Sequence, residues 1–128
     1  MNIHHIGYLV KNIEKSRIYF EKLGFKEESK AVYDAKRDVN ILFMTNGKYR
    51  VELVSPKSEN SVVVNTLQKI GNAPYHICYY CNNIENTQAL LRKDGYLPID
   101  KISSAVAIDN RKVCFLFNQN IGLIELLE

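Results

Sequence analysis

Apolar and polar positions along the chain fall into two alternating rhythms. Residues 3–10 and 75–81 are short apolar runs of strand length. Each is followed by a polar break, Lys11-Asn12-Ile13 or Asn82-Asn83-Ile84. Helical spacing then takes over, with Ile13, Ile18, Tyr19 and Phe20 in the first stretch and Ile84, Ala89, Leu90 and Leu91 in the second. Asn12 and Asn83 stand where a helix takes its N-cap. Gly24 and Gly95 stand where a helix end takes glycine. Further strands are expected near 27–34, 39–45 and 49–54, the last two joined by Thr45-Asn46-Gly47-Lys48, an Asn-Gly hairpin signal. The second half repeats the plan near 97–107, 112–118 and 122–127. Ser55-Pro56 and Gly71-Asn72-Ala73-Pro74 bracket a connector, with a short helix expected within 60–70.

The two halves are copies. Residues 5–25 (HIGYLVKNIEKSRIYFEKLGF) align without a gap on residues 76–96 (HICYYCNNIENTQALLRKDGY), at an offset of 76 − 5 = 71. The identical pairs are His5/His76, Ile6/Ile77, Tyr8/Tyr79, Asn12/Asn83, Ile13/Ile84, Glu14/Glu85, Lys22/Lys93 and Gly24/Gly95. A period of this length is too long for a solenoid. The expectation is one α+β domain spanning 1–128, made of two β-α-β-β-β modules. Module one covers about 1–56, the connector about 57–73 and module two about 74–128.

The repeat also picks out chemistry. His5 and His76 hold the same place on the first strand of each module. Glu52, within Val51-Glu52-Leu53-Val54, and Glu125, within Ile124-Glu125-Leu126-Leu127, sit on each last strand at an offset of 125 − 52 = 73. Strand side chains alternate faces, so His4 and His5 should point oppositely. Only His5 recurs, because His4 aligns with Tyr75. An unpaired buried carboxylate costs several kcal/mol. Two glutamates and two histidines at repeated apolar positions relieve that cost by sharing a cation. Such a donor set suits Zn, Ni, Co, Fe or Mn.

Composition narrows the rest. The chain has 128 residues, 46% hydrophobic and 24% charged, with a net charge of +3. No Lys/Arg stripe supports nucleic-acid binding, and no apolar run reaches the roughly 20 residues of a membrane span. Three cysteines without a secretory leader suggest reduced thiols and a cytoplasmic setting. Cys78 and Cys81 are three apart on a strand and should face opposite sides, so they make a poor metal or redox pair. Cys78 shares a face with His76, and Cys114 reads as core. Arg50 shares a strand face with Glu52, to pair with it or to hold a substrate anion. Arg111, with Arg37, Lys48 and Lys112, is a further candidate for an anionic carrier.

These residues resemble the vicinal oxygen chelate superfamily, which includes glyoxalase I, methylmalonyl-CoA epimerase, extradiol dioxygenases and the fosfomycin- and bleomycin-resistance proteins. The resemblance spans essentially the whole chain. His5-Ile6-Gly7, Val51-Glu52-Leu53-Val54-Ser55-Pro56, Tyr75-His76-Ile77 and Gly122-Leu123-Ile124-Glu125-Leu126 look like the epimerase branch. Ala107-Ile108-Asp109-Asn110-Arg111-Lys112-Val113 looks like small clostridial proteins described as glyoxalase I. Two departures touch the substrate pocket. Lys36 and Arg37 stand where epimerases usually carry a Glu-Gln pair, and Ser103-Ser104-Ala105-Val106 replaces a glycine-rich stretch.

The resemblance implies a U-shaped mixed sheet around one divalent metal (Co, Ni, Zn or Mn), held by His5, Glu52, His76 and Glu125. It also implies a homodimer. It points to a metal-dependent isomerase or lyase that moves a proton next to the carbonyl of an acyl-CoA or other thioester, with Glu52 and Glu125 as catalytic groups. The alternatives are glyoxalase I acting on a thiol–methylglyoxal hemithioacetal, and a non-catalytic small-molecule-binding module of the drug-resistance type. An extradiol dioxygenase fits less well, since it needs one carboxylate rather than two.

Overall fold

A computed structural model describes all residues, Met1–Glu128. Ten strands pair in mixed fashion, with three helices. By their contacts the residues group into two units, Ile6–Tyr75 and Met1–His5 with His76–Glu128. The division follows the sequence repeat at His76, and assigns the first five residues to the second unit.

The first unit takes in β1 (Ile3–Leu9) from Ile6 onward, then α1 (Ile13–Lys22), β2 (Lys26–Glu27), β3 (Val32–Asp34), β4 (Val39–Asn46), β5 (Tyr49–Pro56) and α2 (Val64–Ile70). The strand order is β2-β4-β5-β1, with β3 also on β4. The β4–β5 pair is antiparallel and the β5–β1 pair parallel. In the second unit, β6 (Ala73–Tyr80), α3 (Ile84–Lys93), β7 (Leu97–Pro98), β8 (Ser103–Ala105), a 3-10 turn (Val106–Ile108), β9 (Arg111–Asn118) and β10 (Gly122–Leu127) follow the same plan. Its order is β6-β10-β9-β7, with β8 on β9, β9–β10 antiparallel and β10–β6 parallel.

The two main helices are built alike, as the repeat predicts. The Asn12 side chain accepts the Lys15 backbone N–H and the Asn83 side chain accepts that of Asn86, each at 2.8 Å. Each helix ends in a Schellman motif. The Gly24 and Phe25 N–H groups donate to the Glu21 and Phe20 carbonyls, and those of Gly95 and Tyr96 donate to Arg92 and Leu91. Gly24 and Gly95 have φ of +95° and +86°, the left-handed region that a Cβ penalises.

Ile13 and Phe20 turn α1 onto Val10, Leu42, Met44, Val51 and Leu53. Ile84 and Leu91 turn α3 onto Cys114, Leu116, Ile124 and Leu126. The inward pairs are repeat equivalents seven residues apart. Ile18, Tyr19 and Leu90, which the helical spacing also marked, are exposed instead. Seven residues make about two turns at 3.6 per turn, so one narrow stripe suffices to seat a helix on a sheet.

Three local expectations shift. The strand expected over 27–34 is two short pieces, because the polar run Glu27-Glu28-Ser29-Lys30 gives the sheet no apolar alternation to bury. The strand expected over 97–107 breaks in the same way and closes with the 3-10 turn. The hairpin turn falls on Gly47-Lys48, since Asn46 still pairs with Tyr49. Gly47 takes the positive φ of +58°, and the Asn46 amide donates to the Leu23 carbonyl. The connector helix begins at Val64. No helix is long and apolar enough to cross a membrane.

Candidate metal centre

Strand register builds the site within the second unit. In the parallel β10–β6 pair, Leu123 lies opposite His76 and Glu125 opposite Cys78. His76 and Glu125 are thus two register positions apart, on one face. His5 joins them from the first residues of β1. The His5 and His76 Nε2 atoms are 3.1 Å apart, and Glu125 Oε2 is 3.2 Å from the first and 3.3 Å from the second. All three side chains are buried, each with under 5% of the residue exposed. Phe115, opposite Glu125 on β9, sets its ring edge-on to His76 at 5.1 Å between centroids.

The first unit carries the matching carboxylate. Glu52 is buried on β5, opposite Phe43 on β4 and Gly7 on β1. Each repeated glutamate therefore has a phenylalanine on its antiparallel side. On its parallel side each has a small residue, Gly7 or Cys78. Those two are themselves repeat partners, since 7 + 71 = 78.

The electrostatics of Glu125 are a contest. Burial pushes its carboxyl up, but the imidazoles of His5 and His76 outweigh that and hold it below the usual carboxylate range. Yet Oε2 meets no donor in hydrogen-bond geometry. A buried carboxylate oxygen flanked by two ring nitrogens is an arrangement able to hold a cation.

Its dimensions agree. With donors about 2.1 Å from a shared cation, neighbouring donor atoms lie about 3.0 Å apart in an octahedron and about 3.4 Å apart in a tetrahedron. The three observed separations fall between these limits. Two imidazoles and a carboxylate also suit a borderline divalent metal.

The substrate candidates are engaged elsewhere. Arg50 Nε and Nη2 donate to the two carboxylate oxygens of Glu28 at 2.8 and 2.6 Å. Arg111 Nε donates to the Glu128 carbonyl, and its guanidinium stacks over Tyr80. Arg37 pairs with buried Asp34, and Lys112 with Glu85 and Glu128. Lys48 lies over the Tyr49 ring. Cys78 is buried, Cys81 half-buried on the helix side, and Cys114 buried in the core. Burial pushes the Cys114 thiol up to about 12, the Gln88 amide acting against it.

Two features escaped sequence reasoning. One is the pair of phenylalanines, which alternation could have flagged but only register places. The other is His4. Its backbone position does alternate with His5, yet its ring swings round so that the two Nδ1 atoms lie 2.7 Å apart.

Comparison with known proteins gives the family and the fold. Residues 4–115 match the family model described as glyoxalase/bleomycin resistance protein/dioxygenase superfamily. An uncharacterised Bacillus subtilis protein, YqjC, is 30% identical over 98% of this chain and 91% of its own. Human mitochondrial methylmalonyl-CoA epimerase is 27% identical over 97% of this chain and 72% of its own. A structure of a Streptomyces coelicolor methylmalonyl-CoA epimerase variant, in complex with 2-nitronate-propionyl-CoA, superposes with a TM-score of 0.83. It is 20% identical and covers 99% of this chain and 93% of that one, which shows a shared fold. The repeated modules and the family match together make this chain a member of the glyoxalase/bleomycin resistance protein/dioxygenase superfamily.

Proposed function

We propose that this protein removes and returns a proton at the carbon beside the carbonyl of an acyl-CoA thioester, as an epimerase of the methylmalonyl-CoA type. The observation that carries the reading is the convergence of His5, His76 and Glu125 on one point, buried and at ligand spacing. Glu52 is the fourth ligand in this reading. Its support is its repeat equivalence to Glu125, its burial, and the same phenylalanine and small neighbour on either side.

A divalent cation in that set would supply Lewis-acid polarisation of the substrate carbonyl, which acidifies the neighbouring C–H. The chain supplies the bases. One carboxylate takes the proton from one face of the carbon, and the other returns a proton to the opposite face, inverting the centre. Glu52 and Glu125 are the pair suited to this, since each comes from a different copy of the repeat. His5 and His76 would hold the cation and keep the Glu125 carboxylate in position. Phe43, buried opposite Glu52, and Phe115, half-buried opposite Glu125, each screen a carboxylate from water.

The test is deuterium incorporation at the α-carbon of methylmalonyl-CoA in D₂O, followed by NMR, using Co²⁺- or Ni²⁺-loaded protein. Rapid, metal-dependent exchange is expected. Glu52→Gln and Glu125→Gln should each abolish it while leaving a folded chain. No exchange from protein holding one metal per chain would overturn the acyl-CoA assignment and turn attention to a thiol–methylglyoxal hemithioacetal.

A further inference from the structure

We propose that His4 is a positioning residue for His5. Its Nδ1 accepts the Nδ1–H of His5, and this turns the bare Nε2 lone pair of His5 toward His76 and Glu125. The inference rests on the cation-binding reading above, which needs a lone pair on His5 Nε2; the contact between the two rings is set by geometry alone.

A neutral imidazole has one N–H and one lone pair. Two Nδ1 atoms 2.7 Å apart therefore need one donor and one acceptor. Two lone pairs in that position would repel. The separation is also shorter than the roughly 3.0 Å of two donors sharing a cation. The group His4, His5 and Cys78 thus reads as a hydrogen-bonded pair beside a buried thiol.

The direction of the bond follows from the other side of the His5 ring. Were His4 the donor, His5 would carry its proton on Nε2, aimed among His76 and Glu125. Glu125 Oε2, 3.2 Å from that nitrogen, meets no donor in hydrogen-bond geometry. A proton on His5 Nδ1 leaves Nε2 as an acceptor, open to a cation or to an Nε2–H of His76 3.1 Å away, and His4 then carries its own proton on Nε2.

Packing keeps His4 in place. Its ring stands edge-on to His5 and edge-on to Tyr80, with 4.9 Å between centroids in both cases. Tyr80 is in turn covered by the Arg111 guanidinium, 5.3 Å from its ring centre. A metal-binding histidine usually donates its other ring N–H to a carboxylate, a backbone carbonyl or water, and here the Nδ1 of His4 takes that acceptor's place. The repeat supplies the contrast, for the residue that aligns with His4 is Tyr75. The device serves one of the two ligating imidazoles.

Long-range ¹H–¹⁵N spectra of histidine-labelled, chelator-treated protein read the tautomer directly, with no need of metal or turnover. Zinc affinity by competition with a chromophoric chelator is the second readout. In the native protein His5 should be protonated on Nδ1. His4→Ala should lose this single tautomer and weaken zinc binding about 10- to 100-fold. His4→Asn, whose Oδ1 occupies the Nδ1 position, should restore both. His4→Gln, whose carbonyl lies one bond further out, should not, and it keeps the test open if His4→Ala folds poorly.

A His5 proton on Nε2 in the native protein would overturn the proposal, as would a His4→Ala variant with unchanged tautomer and zinc affinity. A native protein that takes no zinc yet shows a His4-dependent tautomer would sustain the positioning role and refute the cation-binding reading instead.

Discussion

Replacing Glu125 with glutamine keeps the volume and removes the charge, and its effect on metal-dependent stability can be worked out in advance. A cation at about 100 times its Kd stabilises the folded chain by about 2.7 kcal/mol. Unfolding entropy of about 2.1 cal/mol/K per residue, over 128 residues, comes to roughly 0.27 kcal/mol/K. The native protein should therefore melt about 10 °C higher with cobalt or zinc than with chelator. Residues that merely support a ligand already contribute up to about 100-fold in affinity. Losing the ligand itself should take at least as much. At the same metal concentration the ratio to Kd then falls to about one, which leaves roughly 0.4 kcal/mol of stabilisation, under about 2 °C. Scanning calorimetry of both proteins, each with chelator and with metal, reads the four melting temperatures. A Glu125→Gln variant that keeps more than half of the metal-dependent shift would refute the ligand role of Glu125. A native protein with no shift would refute the centre as a whole.

Other expectations follow from positions outside the site. Gly24→Ala and Gly95→Ala should each destabilise by about 1–2 kcal/mol in urea titrations, because both force a Cβ into left-handed backbone. Gly24→Ala should be the worse, since its Cβ would also sit 3.2 Å from the Asn46 amide nitrogen, whereas the nearest atom at Gly95 is 3.9 Å away; equal losses would count against that reading. At pH 8, native protein should label with an aromatic disulfide reagent at half-buried Cys81 well before Cys114, whose thiol is buried and pushed up to about 12. Peptide mapping showing Cys114 labelled first would contradict the packing. The Asp38 carboxyl is held below its usual range by hydrogen bonds from Ser58 and Tyr33. A lowered folded value means that stabilisation is present above the ordinary carboxylate pKa and is lost as pH falls through the folded one. Ser58→Ala should therefore lower the urea midpoint at pH 6 and converge on the native protein near pH 2, and a pH-independent difference would argue against the Asp38 bond.

The parts legible in the sequence are those written twice. Asn12 and Asn83, Gly24 and Gly95, and the inward residues Ile13 and Ile84 each satisfy a local backbone requirement, so a match between copies carries real information. His5, His76 and Glu125 were legible for a different reason. Polar groups on apolar strands are costly, and recurrence made chance a poor explanation. What escaped depends on neighbours far along the chain. Nothing local distinguishes outward Tyr19 from inward Phe20, since a helix seat is decided by the sheet beneath it. The pairing of Phe43 with Glu52 and of Phe115 with Glu125 is a matter of register across strands. The contact from His4 to His5 defeats the alternation rule, because that rule fixes where a Cβ points and not where a ring beyond it ends.

The parallel pairings of β1 with β5 and of β6 with β10 also have a kinetic consequence. Parallel neighbours need a long crossover, and their loop-closure entropy must be met before any contact rewards it. The antiparallel pairs β4–β5 and β9–β10 join adjacent segments and can form early. Glu125 comes beside His76 only when β10 docks on β6, after α3, β7, β8 and β9 have been laid down between them. His5 lies almost the whole sequence away from Glu125. The donor triangle is thus expected among the last features to assemble during folding. A chain that has only its hairpins holds the same histidines and glutamates scattered, and so has no preformed trap for a cation. Metal uptake followed after dilution from denaturant would then report completion of the native topology rather than collapse.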